Sequence, residues 1–194
     1  MLDQNFVWLG FVVGMIGTAL YVIATIQGRV KPNRLSWLIL GIAPLIAFAA
    51  EIDEGVGIRS LMTFSVGFGP LLVFAASFVN KDSYWKLGRF DFLCAALSLI
   101  ALVLWQLSGS GNVAIVLTIA ADGLATLAIL VKSWRFPHTE VPWPAVGGIV
   151  SSAIALLVLD RWTFADYAFP TYILMISIAL TGTIVLRTRS VIRT

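Results

Sequence analysis

Asp122 stands at the midpoint of the stretch NVAIVLTIAADGLATLAILVK, residues 112–132, in which the only other charge is the terminal Lys132. A helix rises ~1.5 Å per residue, so this stretch matches the ~30 Å hydrocarbon core of a bilayer, with Asp122 about ten residues from either end. A charge at that depth costs ~2.5–3.5 kcal/mol on insertion scales unless it is paired, protonated or facing a wet cavity. Helical spacing sets Thr118 and Thr126 one turn to either side on the same face. A carboxyl flanked by hydroxyls can bind and release a proton or hold a cation, so Asp122 is expected to be a proton-coupling or cation-binding group. The alternative is an acid that only joins helices through a neighbouring hydroxyl or carbonyl.

Around this acid the sequence offers hydroxyls and bend-forming residues rather than a catalytic set. Thr118 and Thr126, with Thr63, Ser65 and Tyr21 from other apolar stretches, are the expected substrate-binding side chains. Gly67, Gly69 and Pro70 cluster near the middle of RSLMTFSVGFGPLLVFAASFVN. Proline removes a helical hydrogen bond and glycine permits close approach, so a bend or break is expected there, with further hinge points at Pro44 and Pro170. Packing alone is the other reading of the same residues. The pairs Gly147/Ser151 and Gly148/Ser152 are spaced for close helix packing, or for the small-residue wall of a cavity. His138, the only histidine, sits between Pro137 and Glu140 and reads as a surface loop residue. No metal-ligand spacing, nucleophile-base set or phosphate-binding glycine loop is present. Neither an enzymatic activity nor a cofactor is expected, and no lysine interrupts the seventh apolar stretch to carry a retinal Schiff base.

The elements that must position these groups are membrane helices. Of 194 residues, 59% are hydrophobic and 12% charged, about half the charge of soluble domains, and the mean hydropathy is +0.95. Seven apolar spans run over about 6–27, 35–52, 59–79, 90–107, 112–132, 143–160 and 165–186. The single cysteine, Cys94, lies in an apolar run and excludes a disulfide framework. The start MLDQNF lacks a basic region and a cleavage site, so the first span reads as retained.

Charge placement sets the expected orientation. Arg29, Lys31 and Arg34, then Lys81, Lys86 and Arg89, then Lys132 and Arg135, then Arg187, Arg189 and Arg193 all fall on one side, leaving only Arg59 and Arg161 on the other. The acids Asp3, Glu51, Asp53, Glu54, Asp160 and Asp166 favour that second side. The positive-inside rule then gives an outer N-terminus and a cytoplasmic C-terminus, in what is expected to be a bacterial inner (plasma) membrane. Basic residues divided among short loops do not form a nucleic-acid groove. Trp37, Trp85, Trp134 and Trp143 near inner ends, with Trp8, Trp105 and Trp162 near outer ends, read mostly as an aromatic belt.

The stretch ALYVIATIQGRVKPNRLSWLILG has a counterpart in LATLAILVKSWRFPHTEVPWPAVGG: apolar helix, basic cluster, proline (Pro32, Pro137), tryptophan (Trp37, Trp143), apolar helix. Three spans per unit joined by one connector give a parallel 3+1+3 repeat, with residues 1–80 as the first unit, 81–111 as connector and 112–194 as the second unit. The loop Gly28-Arg29-Val30-Lys31-Pro32-Asn33-Arg34-Leu35-Ser36-Trp37 resembles that of the SWEET and PQ-loop proteins, as do the span count and connector. The resemblance covers the architecture of the whole chain but only two short loops as sequence. The family's proline-glutamine pair is absent, Tyr21-Val22-Ile23 and Thr126-Leu127-Ala128 standing at that depth. The paired asparagines of its sugar carriers have no counterpart either. The resemblance implies an all-α integral membrane carrier that moves a small polar metabolite by alternating access. The alternative is a non-transporting receptor or partner-binding bundle. Expected partners are the lipid bilayer and a small-molecule substrate, with homo-oligomerisation left open.

Overall fold

The computed structural model describes residues 5–53, 58, 60–107, 111–159 and 162–192. Within them the chain forms seven α-helices: α1 Phe6–Ile26, α2 Arg34–Asp53, α3 Ser60–Ala76, α4 Arg89–Leu107, α5 Gly111–Arg135, α6 Trp143–Leu157 and α7 Phe164–Ile192. A 3-10 turn, Pro137–Thr139, precedes α6, and no strand is present among the described residues. Asp3, Glu54, Arg59, Asp160, Arg161 and Arg193, all used above to judge sidedness, lie outside the described residues.

Local chemistry sets the helix ends. Asn33 caps α2: its Oδ1 accepts the Ser36 N–H at 3.2 Å, satisfying one of the free donors of the first turn. Asp91 in the first turn of α4 reaches back to the Gly88 N–H at 2.7 Å, and Thr163 and Asp166 close the start of α7 through a 2.6 Å side-chain bond. Beyond α1 the chain turns at Gly28, whose φ of +74° suits glycine. The helix α5 runs three residues past the expected 132, because the Phe136 N–H still bonds the Lys132 carbonyl at 2.7 Å before Pro137 ends the run.

Two expected boundaries are corrected. The last span continues as helix to Ile192, so Arg187 and Arg189 ride on α7 rather than on a free tail. The sixth helix has only 15 residues, a rise of about 22 Å, short of the hydrocarbon thickness. Among the described residues, three stretches are long and apolar enough to cross a membrane: Phe6–Ile26, Ile115–Arg135 and Asp166–Ser190. Apolar side chains point outward, among them Val12 and Ile16 on α1, Leu97 and Ile100 on α4 and Met175 and Ile178 on α7. Serines, threonines and Asp122 are turned inward. This inside-out distribution, with three long apolar helices, is that of a helical membrane protein.

The helices interlock in a regular order. Within residues 1–80, α3 packs against both α1 and α2; within residues 112–194, α7 packs against both α5 and α6. Between the two groups α1 lies on α6 and α2 lies on α5, while α4 packs on α5 and α2. Small residues permit the closest of these approaches. A Cβ on Gly17 would come within 2.5 Å of the Trp143 carbonyl oxygen, and Gly147 faces the Val13 carbonyl and the Gly14 Cα. Pro44, Pro70 and Pro170 each sit inside a helix assigned without a break. Gly67 packs on Gly41 and Leu45 of α2, and Gly69 faces Thr18 of α1.

Candidate functional site

Asp122 is buried, with 3% of its surface exposed. The Tyr172 hydroxyl of α7 donates to its Oδ2 at 2.7 Å. Thr126, one turn further along α5, brings its hydroxyl to both Asp122 and Tyr172. No basic side chain pairs with Asp122 among the described residues. A hydrogen bond to an ionised group contributes ~1.5–3 kcal/mol, whereas burying an ion costs several kcal/mol even after relaxation. Two hydroxyls therefore leave the charge of a carboxylate here incompletely offset.

The acid borders a cavity of about 190 Å³, well above the ~10–15 Å³ that one water needs. Its walls come from six helices: Gly14 and Thr18 of α1, Trp37 and Leu40 of α2, Thr63, Ser65 and Pro70 of α3, Asp122 and Thr126 of α5, Gly148, Ser151 and Ser152 of α6, Phe169, Pro170 and Ser177 of α7, with apolar residues between them. Asp122, Thr126, Thr63 and Ser65, singled out from sequence, thus share one cavity, together with Pro70 and Pro170. Thr118 is buried but is not among the lining residues. Gly67, Gly69 and Pro44 are not among the lining residues: Gly67 packs on α2, Gly69 faces Thr18 of the wall, and Pro44 is buried.

Tyr21 also lies outside the cavity lining, and its polar end is committed elsewhere. It is 1% exposed, its ring packs on Trp37 at 4.9 Å, and its hydroxyl donates to Glu140 Oε2 at 2.6 Å. Glu140 Oε1 in turn receives Lys132, whose ammonium also donates to the Lys31 carbonyl and lies over the Trp85 ring. Lys132, expected in a loop, is a buried residue of the last turn of α5, drawn in by this acceptor set. Glu140, expected beside an exposed His138, is buried as well, whereas His138 is exposed.

Further bonds draw the three basic loops together at one end of the bundle. The Lys31 N–H bonds the Thr139 carbonyl at 3.0 Å, Asn33 Nδ2 bonds Asp91 Oδ1 at 2.8 Å, and Asn80 Nδ2 bonds the Ile26 carbonyl at 3.0 Å. Trp37 departs from the aromatic belt: it is buried above Tyr21 and forms cavity wall, while Trp8, Trp134, Trp143 and Trp162 are exposed. Its Nε1 is buried without a hydrogen-bond acceptor.

Sequence reasoning missed Tyr172, Ser177, Trp37 as cavity wall and the Lys132–Glu140–Tyr21 chain. The one available signal was Glu140, an acid among basic loop residues, with Lys132 eight positions before it. Of the two small-residue pairs on α6, Gly147 makes a close contact with α1 and Gly148 with Ser177 of α7, while Gly148, Ser151 and Ser152 form cavity wall. No grouping of three His, Cys, Asp or Glu side chains able to hold a metal exists among the described residues. Comparisons with family models, with curated proteins and with solved structures find no match to this chain.

Proposed function

We propose that the chain is a small seven-span carrier with an outer N-terminus, and that it moves a small polar solute through the Asp122 cavity by alternating access. Asp122 serves as the proton-coupling or cation-binding group. The observation that carries the reading is the position of the cavity. It lies where the group α1–α3 meets the group α5–α7, with both groups contributing wall and the acid midway along α5. Support also comes from the exchangeable pattern of contacts: α1 on α6 mirrors α5 on α2, and the third helix of each group packs on the other two. Two units related in this way can tilt about a shared cavity, opening it to either side in turn. In a plasma-type membrane the Tyr21–Glu140–Lys132 chain then closes the cytoplasmic side in this state, where the three basic loops gather.

The test is two-sided accessibility of the cavity wall. Ser151→Cys, made in a Cys94→Ala background and reconstituted in vesicles, is treated with a membrane-impermeant thiol reagent added from one side at a time. Labelling from both sides is the carrier result. Labelling from one side only is the receptor result and removes alternating access.

A further inference from the structure

We infer that the solute held by this cavity is a small organic cation, an amine or quaternary ammonium without an anionic group, with Asp122 as its counter-ion. The inference deepens the carrier reading and shares its site. Three features of the wall point to this class. The first is charge: among the described residues that line it, Asp122 is the sole Asp, Glu, Lys, Arg or His. A carboxylate, phosphate or zwitterion would bring a negative charge into a cavity that offers no cation to meet it.

The second is hydrogen-bond polarity. The Tyr172 hydroxyl spends its proton on Asp122. Ser65 donates to the Met62 carbonyl at 2.7 Å, and Ser152 donates to the Gly148 carbonyl at 2.6 Å. These three hydroxyls therefore keep lone pairs for a ligand, and hydroxyls of the wall, among them Thr18, Ser151 and Ser177, can accept as well as donate. The Nε1–H of Trp37 is an unpaired neutral donor, and neutral donors do not replace a cation as an anion's partner. Hydroxyls able to accept, set around one carboxylate, suit a ligand that carries donors and positive charge.

The third is the aromatic and aliphatic remainder, in which Trp37 and Phe169 stand with Leu40, Ile173 and Ile176. Aromatic rings favour cations over anions, and aliphatic wall accommodates the alkyl part of an amine. A free inorganic cation gains nothing from the aliphatic part of that wall.

The experiment is calorimetric titration of the purified full chain with compounds of similar size and differing charge: n-butylammonium, tetramethylammonium and phenethylammonium, against n-butanol, butyrate and γ-aminobutyrate. Saturable binding is expected for at least one of the cations and for none of the other three compounds. Asp122→Asn, with its helical circular dichroism unchanged, is expected to weaken that binding at least tenfold, as for loss of an ion pair. Because the wild-type comparison needs no variant, a misfolded Asp122→Asn leaves the test intact.

Binding of a neutral or anionic compound as tight as that of every cation overturns the inference. So does the absence of saturable binding by any cation up to roughly 10 mM, the weak end of small-ligand affinity. Cation binding without flux in vesicles upholds this inference and removes the carrier reading. Flux of an anionic or neutral solute with no cation bound does the reverse.

Discussion

The Tyr172 hydroxyl and Asp122 Oδ2 lie 2.7 Å apart, joined by a hydrogen bond that links α7 to α5 across 50 positions of sequence. The bond fixes the carboxyl at the cavity wall and gives α7 a direct hold on the one acid among the described lining residues. In Tyr172→Phe the ring stays and the donor goes, leaving Thr126 as the remaining hydroxyl. We expect a loss of ~1–3 kcal/mol in stability, the cost of removing a bond to a buried polar group, measured by thermal or denaturant unfolding in detergent. Solute-dependent flux should fall in parallel. Unchanged stability and flux would mean that the bond neither holds the helices nor orients the acid.

The Lys132–Glu140–Tyr21 chain presents the opposite electrostatic situation, a buried charge pair with each member satisfied. Removing one partner strands the other, at a cost of about 3–5 kcal/mol. Lys132→Met or Glu140→Leu alone should therefore destabilise strongly, and the double variant should be more stable than the sum of the two. A double-mutant cycle on unfolding free energies measures this, with a coupling of ~0.5–3 kcal/mol expected. Additive effects would show that the two side chains do not act as a pair.

Asn33 both caps α2 and holds Asp91 of α4 through its amide nitrogen. Asn33→Ala removes cap and cross-link together and should cost at least the ~0.5–2 kcal/mol of a lost cap. Asn33→Ser, which keeps a capping oxygen, should recover part of that loss. Equal unfolding curves for the alanine and serine variants would remove the capping role.

The contact of α1 with α6 depends on an absent side chain at Gly17, where a Cβ would stand 2.5 Å from the Trp143 carbonyl oxygen. That oxygen belongs to backbone, which cannot swing away as a flexible side chain would. Gly17→Ala should therefore cost ~1–3 kcal/mol by overpacking, whereas Gly182→Ala, which has no atom within 4 Å of its Cβ, should be close to neutral. Similar melting temperatures for the two variants would contradict the packing described.

How much of this was legible in the sequence depends on whether the signal is one-dimensional. Asp122 could be found because a carboxylate in a long apolar run is anomalous wherever the helix turns. Thr126 followed from helical spacing, but the same rule offered Thr118, and only the packing of neighbouring helices decides which turn of that face meets the cavity. Tyr172 carried no signal: a tyrosine in an apolar span is ordinary, and its partner lies on another helix. Glu140 and Lys132 looked like loop charges because burial there is created by Tyr21, more than 100 residues earlier in the chain. The adjacent glycines Gly147 and Gly148 show the same limit, since both serve close helix contacts, with α1 and α7 respectively, and only Gly148 also lines the cavity.

The most direct measurement of the central claim is solute-driven proton movement in proteoliposomes, comparing wild type with Asp122→Asn at matched reconstitution and matched helical content. The account predicts that wild type moves protons when a small organic cation is offered on one side, and that Asp122→Asn loses this coupled movement while remaining folded. Equal proton movement by the two proteins would contradict it and return Asp122 to the packing of α5 against α7.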